Sequence, residues 1–386
     1  MAEGSAGRRS HEASGLTRVE STTRPGAVHS APGLVYLDIP MQLMMMPTTR
    51  FMRRASVLVV VAVAPFGPLH AQRVVVRGDS ARDGIVINDP TRLKPKPPPA
   101  SIAALVGEYG AGKDTIIVGE RNGALFAIDG AREIPLIAAM FGTRRSAGAP
   151  TLRLGARQLP RRAVGTEEGV TFRIVVRTPI DELRRVALAA SPPREPEVRR
   201  ASDLVELVAL DPSITLDIRY ASTNNFMGAA MYSSARAFMQ RPAAEAVVRA
   251  HRALAANGYG ILIHDAYRPW YVTKMFWDAT SGPDREFVAN PASGSKHNRG
   301  AAVDLTLFDR ATGKAVRMTG GYDEFSHRSY ADYPGGTALE RWQRDLLRRA
   351  LEAQGFMVNP TEWWHFDFQG WREYPILNIA FEGLGR

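Results

Sequence analysis

The sequence predicts an α+β fold over residues 203–386, preceded by a small all-β accessory domain at 101–180. Three observations carry this. The stretches "RPAAEAVVRAHRALAANG" and "TALERWQRDLLRRALEAQGF" have the apolar period of amphipathic helices, and they alternate with strand-like runs such as "YGILIHDAYRP" and "EWWHFDF". Between Ser101 and Val176 the pattern changes to short β-rich runs separated by turns. Proline-rich stretches, "RLKPKPPPA" and "SPPREPEVRR", bracket that region as linkers.

Composition sets the outer limits. The chain has 386 residues, with 45% hydrophobic and 23% charged, which suits a globular protein with a sizeable core. The net charge of +10 comes from arginines scattered along the chain, such as Arg184-Arg185 and Arg348-Arg349. They form no dense basic stripe, so no nucleic-acid partner is expected. There is no cysteine. Disulfides and thiolate metal sites are thereby excluded, and any metal must be held by His, Asp or Glu.

From the N-terminus, residues 1–40 are polar and without periodicity. Arg50, Arg53 and Arg54 then precede the apolar run "ASVLVVVAVAP" and the small-residue end "FGPLHAQ". That order is the layout of a secretory signal peptide. Translation is therefore expected to start at Met41, Met46 or Met52, with the first stretch an upstream extension. Export to the periplasm or cell envelope is expected, and no stable membrane span, because the run is too short.

A linker at 73–100 leads into the β domain, whose strands are read from "DTIIVGE", "ALFAIDG", "TLRLG" and "VTFRIVV", with a turn at Asn122-Gly123. Residues 181–202 read as a helix capped by Asp181 and a linker. Beyond Asp203, "LVELVAL" and "TLDIRYA" read as strands. The first amphipathic helix stops at Gly258. The apolar strand after it runs into a turn at Pro269. Thr337 and Glu340 have the spacing of a capping box at the start of the second helix. Leu339, Trp342, Leu346 and Ala350 form its packing face.

Chemistry concentrates in "SKHNRGAAVDLTL" and "TEWWHFDFQGW". Together they supply His297, Asp304, Glu362 and His365. Three nitrogen or oxygen ligands with one open position form the catalytic pattern for zinc, and a single carboxylate leaves the ion net positive. The spacing restricts the backbone. On one straight strand His297 and Asp304 would face opposite ways, so Asn298-Arg299-Gly300 must bend the chain, a task that suits Gly300. Asp304 then shares a face with Ala302 and Thr306. Glu362 and His365 are also an odd number apart, which calls for a twist or bulge. Arg268 ends an apolar strand and is held by Pro269, which presents a fixed cation where negative charge would develop. His264, His251 and His327 read as structural.

These pieces, with "IRYASTNNFMGAAMY", "DAYRP" and "MTGGYDEFSHRS" in the same order, resemble the zinc D-alanyl-D-alanine dipeptidases, the family of the vancomycin-resistance dipeptidase. That family belongs to a wider group with D-alanyl-D-alanine carboxypeptidases and hedgehog domains. The resemblance covers roughly residues 203–380. It implies an antiparallel sheet with flanking helices. It implies one Zn²⁺ per chain on His297, Asp304 and His365, Glu362 as general base and Arg268 as oxyanion stabiliser. For a small D,D-dipeptide substrate, Asp323 is the candidate for the ammonium and Ser295 for the carboxylate end, with Tyr232 and Asn225 lining the pocket. Tyr322 stands where the resemblance leads one to expect phenylalanine, a departure expected to change pocket polarity and leave the zinc chemistry untouched. Two alternatives stay open: a D,D- or L,D-carboxypeptidase acting on peptidoglycan stem peptides, and a catalytically inactive zinc-bearing binding module.

Overall fold

A computed structural model describes residues 93–142, 150–162, 172–195 and 200–385. The signal-peptide stretch and most of the first linker lie outside the described residues. Residues 93–99 have no helix or strand, and a single helical turn, α1 (Ala100–Ala103), follows them.

Two antiparallel sheets then form the accessory module. β1 (Gly107–Tyr109), β2 (Ile116–Arg121), β3 (Ala124–Asp129) and β4 (Arg132–Leu136) pair in sequence order, and so do β5 (Phe141–Gly142), β6 (Thr151–Leu154) and β7 (Arg157–Pro160). The β2–β3 turn uses Asn122 at φ 53 and Gly123 at φ 83, the left-handed pair that a tight hairpin demands. Tyr109, Ile116, Val118, Leu125, Ala127 and Leu152 fill a core separate from that of the rest of the chain. "VTFRIVV" is a correction to the expected module: the described part, from Phe172, lies in no strand. Phe172, Ile174 and Val176 pack instead on the larger core, and Ile174 N donates to Phe226 O at 3.0 Å.

The helix expected near Asp181 is α2 (Ile180–Ala189), but Pro179 is its N-cap and Asp181 lies inside the first turn without a capping bond. Proline before the first turn already sets the backbone, and Asp181 still complements the helix dipole there. Leu183 and Ala187 join the larger core, so this helix belongs to the α+β domain.

In that domain "LVELVAL" divides into β8 (Leu204–Glu206) and one helical turn, α3 (Leu207–Leu210). "TLDIRYA" supplies only β9 (Thr215–Leu216) before a 3-10 turn at Arg219–Ala221. The strand stops because the following loop folds back on itself. Asn225 Nδ2 donates to the carbonyls of Arg219, Ser222 and Ala229 at 3.1, 2.7 and 2.8 Å. β10 (Phe238–Gln240) pairs with β8.

α4 (Arg241–Leu254) has proline in its first turn. Its row Ala243, Ala246, Val247, Ala250 and Leu254 is fully buried, and it ends through a short 3-10 turn at Gly258, φ 81. β11 (Tyr259–Asp265) follows, then α5 (Trp270–Ala279), a helix not foreseen beyond the turn at Pro269. β12 (Ala302–Asp309), α6 (Ala338–Glu352), β13 (Phe356–Asn359) and β14 (Glu362–Phe368) complete the fold. The capping box of α6 is formed: Glu340 N donates to Thr337 Oγ1 at 3.1 Å, and Thr337 N to Glu340 Oε2 at 2.7 Å.

The central sheet runs β13-β14-β12-β11-β9. Its pairings are antiparallel except at the β9 edge, which runs parallel to β11. Val303, Leu305 and Leu307 point from β12 into a core shared with α4 and α6. Each such side chain contributes about 1.5–3 kcal/mol on burial. That anchored strand puts Asp304 on the opposite face.

Candidate metal centre

Sheet register assembles the site. Asp304 on β12 pairs with Asp265 on β11 and with His365 on β14, so three polar residues form one row across three adjacent strands. Directly paired residues project from the same face a few ångströms apart. On β11 the row requires the register shift between Ile263 and Asp265.

His297 arrives from a 3-10 turn, His297–Arg299, that ends at Gly300 with φ 63. A Cβ on Gly300 would meet Leu204 Cδ2 at 2.4 Å, so only glycine satisfies both the turn and the packing. The bend expected at Asn298-Arg299-Gly300 is there. So is the bulge expected near Glu362: the β13–β14 register jumps from Val358↔Phe366 to Asn359↔Glu362. This brings Glu362 Oε2 within 3.6 Å of His365 Nδ1.

His297, Asp304 and His365 are buried, and one ligand atom from each lies within 4.8 Å of the other two. His297 Nε2 is 3.1 Å from His365 Nδ1 and 3.3 Å from Asp304 Oδ1, and His365 Nδ1 is 2.9 Å from Asp304 Oδ1. The outward nitrogens are already engaged. His297 Nδ1 donates to Ala266 O at 2.6 Å, and His365 Nε2 donates to Asp367 Oδ1 at 2.9 Å. Acceptors at those positions fix both tautomers and turn the remaining ring lone pairs toward the carboxylate, as outer partners of metal-binding histidines do. Burial opposes charge on His365, yet the bonds from Asp304 and Asp367 hold its pKa up to about 10. Burial likewise opposes ionisation of Asp304, and His297 and His365 more than reverse that, holding it well below the usual carboxylate range. The donor set thus draws positive charge to its centre. Three buried N and O donors suit a divalent cation such as zinc.

Around the triad lies a cavity of ≈ 380 Å³, lined among others by Arg268, Ser295, Asp323, Glu362 and Trp371. Burial raises the pKa of Glu362, partly offset by His365, and Asn359 Nδ2 donates to its Oε2 at 3.0 Å. Arg268 is buried, and its Nε and Nη2 donate to Asp265 Oδ2 at 2.9 and 2.7 Å. Its Nη2 also stands 3.8 Å from Asp304 Oδ2. Asp265, the first residue of "DAYRP", is therefore the clamp for Arg268, a role not expected from the sequence. A carboxylate three residues ahead of an arginine at a strand end was the available signal.

Asp323 lines the cavity at φ 56 and accepts from Tyr220 Oη at 3.1 and 3.0 Å. Burial, with Asp304 adding to it, raises its pKa well above the usual range. Ser295 lines the same cavity, and its Oγ accepts from His297 N at 3.2 Å.

Two expected pocket residues lie outside the lining. Tyr232 sits behind Asp265, donating to its Oδ1 at 2.7 Å. Asn225 is consumed by the loop carbonyls named above, and its Oδ1 accepts from Met227 N at 2.9 Å. A third correction concerns Tyr322. Its hydroxyl donates to Asp304 Oδ2 at 3.1 Å, so the departure reaches a member of the candidate triad. Its ring stacks on His264, centroids 4.4 Å apart, which explains the burial of that histidine.

Comparison with known proteins agrees with the geometry. The D-ala-D-ala dipeptidase family of peptidases matches residues 200–378. A D-alanyl-D-alanine dipeptidase of Escherichia coli (strain K12) is 34% identical over 180 residues, 47% of this chain and 92% of that protein. One from Enterococcus faecium is 30% identical over 184 residues, 43% of this chain and 90% of that protein. One from Streptomyces coelicolor is 32% identical over 193 residues, 44% of this chain and 91% of that protein. The chain belongs to the D-alanyl-D-alanine dipeptidase family and is a metallopeptidase.

Proposed function

We propose that this chain hydrolyses the D-alanyl-D-alanine dipeptide with one zinc ion held by His297, Asp304 and His365. The observation that carries the reading is the convergence of three buried donors whose outward atoms are all engaged, with Glu362 and Arg268 beside them in one cavity. Bound there, zinc would supply Lewis acidity and would lower the pKa of a water toward neutrality. Glu362 is placed to accept a proton from the attacking water and pass it to the leaving amine, and burial that raises its proton affinity suits the task. Arg268, held still by Asp265, meets the negative charge that grows on the carbonyl oxygen.

Asp323 takes the substrate ammonium and Ser295 the carboxylate end. The choice of a free dipeptide over a wall stem peptide rests on Asp323. An acylated amine brings no cation, and it would leave this buried acid without a counter-charge. Retention of Glu362 and Arg268 at the triad favours an enzyme over an inactive zinc-bearing module. On the same reading the enzyme works in the periplasm or cell envelope. A mature N-terminus at Gln72 would support that location, and a cytoplasmic chain retaining residues 1–72 would count against it.

The deciding experiment measures zinc content and D-alanine release on purified protein, with free and N-acylated D-Ala-D-Ala. We expect one zinc per chain and turnover of the free dipeptide alone. Glu362→Ala is expected to keep its zinc and lose about 10²- to 10⁴-fold in kcat. Undiminished turnover in that variant, or full activity without metal, refutes the mechanism.

A further inference from the structure

The family match covers residues 200–378, which leaves the β module without a role. Its contacts supply one. Among the described residues, the hydrogen bonds from the module to the peptidase domain all fall on Tyr333–Arg341. Glu120 N donates to Gly336 O at 3.1 Å, and Gly119 and Gly336 form a parallel bridge. Ala338 N donates to Glu120 Oε2 at 3.0 Å, so a carboxylate from the module satisfies a free amide at the start of α6. Arg341 Nη2 donates to Glu120 O at 2.7 Å while its Nη1 donates to Gly336 O at 2.7 Å. Tyr333 Oη donates to Glu108 Oε1 at 3.1 Å. Glu108 and Glu120 are the two buried charged residues of the described module, and each gives one carboxylate oxygen to this contact, the other being held inside the module by Arg162 and by Gly123 N.

What they grip is the far end of the loop that carries Tyr322 and Asp323. Asp323 is a non-glycine residue in the left-handed region, a conformation that costs about 1–3 kcal/mol and persists only where its surroundings over-determine it. The loop binds itself from within. Arg328 Nε donates to Thr319 O at 3.2 Å, and Gly321 N donates to Glu324 Oε2 at 2.9 Å. Those bonds tie the loop to itself, Tyr220 Oη and Asp304 tie Asp323 and Tyr322 to the peptidase domain, and the module adds a tie to a second, independently cored body.

We propose that the β module is a clamp on the loop 318–336, and that it sets recognition of the substrate ammonium by holding Asp323 in its left-handed conformation. This rests on the dipeptidase reading above. It makes Glu120, Glu108 and Tyr333 positioning residues that never touch substrate.

The test uses the full-length protein with Tyr333→Phe, which deletes one hydroxyl, and Glu120→Ala. The readouts are zinc content, kcat, KM for D-Ala-D-Ala, preference over N-acetyl-D-Ala-D-Ala, and amide exchange at 324–331. Expected are faster exchange at 324–331, a rise in KM of about 3- to 10-fold with kcat and zinc unchanged, and a smaller preference for the free amine. Unchanged KM and preference in an active enzyme overturn the clamp, whether or not the variants lower the melting temperature. If Glu120→Ala does not fold, Tyr333→Phe carries the test alone. If the wild-type protein turns over no dipeptide, the dipeptidase reading falls. The clamp is then judged by exchange: acceleration at 324–331 supports it, and wild-type rates overturn it.

Discussion

The β module and the peptidase domain place their charges differently. The module has an apolar core, and its Arg121–Glu133 pair leaves the two side chains 57% and 49% exposed, while Glu108 lies buried beside Arg162. The peptidase domain buries Asp265, His297, Asp304, Asp323, His365 and Asp367 in one neighbourhood. An exposed pair of the first kind contributes little, about 0–1 kcal/mol. A buried set of the second kind is costly and persists only when every member is paired or holds a cation. The contrast shows where each part does its work. The module spends its polar groups on docking, and the peptidase domain spends them on a centre of charge.

The largest test of that contrast is Arg268→Ala. Among the described residues, its guanidinium is the buried arginine group bonded to the Asp265–Asp304–His365 row, through Asp265. Removing it should cost about 10²- to 10³-fold in kcat, the scale of a lost oxyanion donor. It also leaves Asp265 in the core with Tyr232 Oη and Ala266 N as its remaining donors among the bonds described. Zinc content should be retained. An arginine loss that left kcat unchanged would reduce Arg268 to a structural ion pair like those of the module.

Much of this site was readable from residues. Alternation along "AAVDLTL" placed Asp304 opposite the core-facing valine and leucines because a strand with one packed face has a fixed side-chain period. Odd spacings forecast the bend at Gly300 and the bulge before His365. Other features depend on partners far apart in the chain. Asp265 had a local signal in its spacing from Arg268, but its place in the row comes from a register shift, and Tyr232, 33 residues away, backs it. Tyr232 and Asn225 were placed in the pocket by their position in a motif, yet their polar atoms are used up behind it. "VTFRIVV" has the alternation of a strand, but Phe172, Ile174 and Val176 pack on the larger core. Alternation reports a half-buried extended segment and does not say which body buries it.

A smaller effect is expected from Gly300→Ala. The added methyl would face Leu204 Cδ2 at 2.4 Å in a backbone conformation at φ 63. Strain of this kind costs about 1–3 kcal/mol. Since the turn delivers His297, zinc affinity should fall along with thermal stability. A one-carbon deletion in the module, such as Leu152→Val, should lower stability alone, because Leu152 belongs to the module's own core. Loss of stability without loss of zinc in Gly300→Ala would separate the turn from the metal.

The finest test is Tyr322→Phe, which removes one oxygen from the larger core. The tyrosine hydroxyl donates to Asp304 Oδ2 while Asp304 Oδ1 faces His297 and His365. With Oδ2 engaged, the carboxylate presents one oxygen to a metal. Without the hydroxyl, the nearest remaining charge on Oδ2 is Arg268 Nη2 at 3.8 Å, and the carboxylate is free to turn. Outer partners of metal ligands are worth about 10- to 100-fold in affinity, and a single neutral hydroxyl belongs at the lower end. Zinc affinity measured by chelator competition should therefore fall about tenfold. The fold should survive, since the ring still stacks on His264 and meets Trp364 edge-on. A cobalt-substituted variant should also change its visible absorption, because the geometry at Asp304 changes. Identical affinity and spectrum would mean that Asp304 is positioned by its strand alone, and that the row across three strands, like the module's core, needs no polar partner to hold its shape.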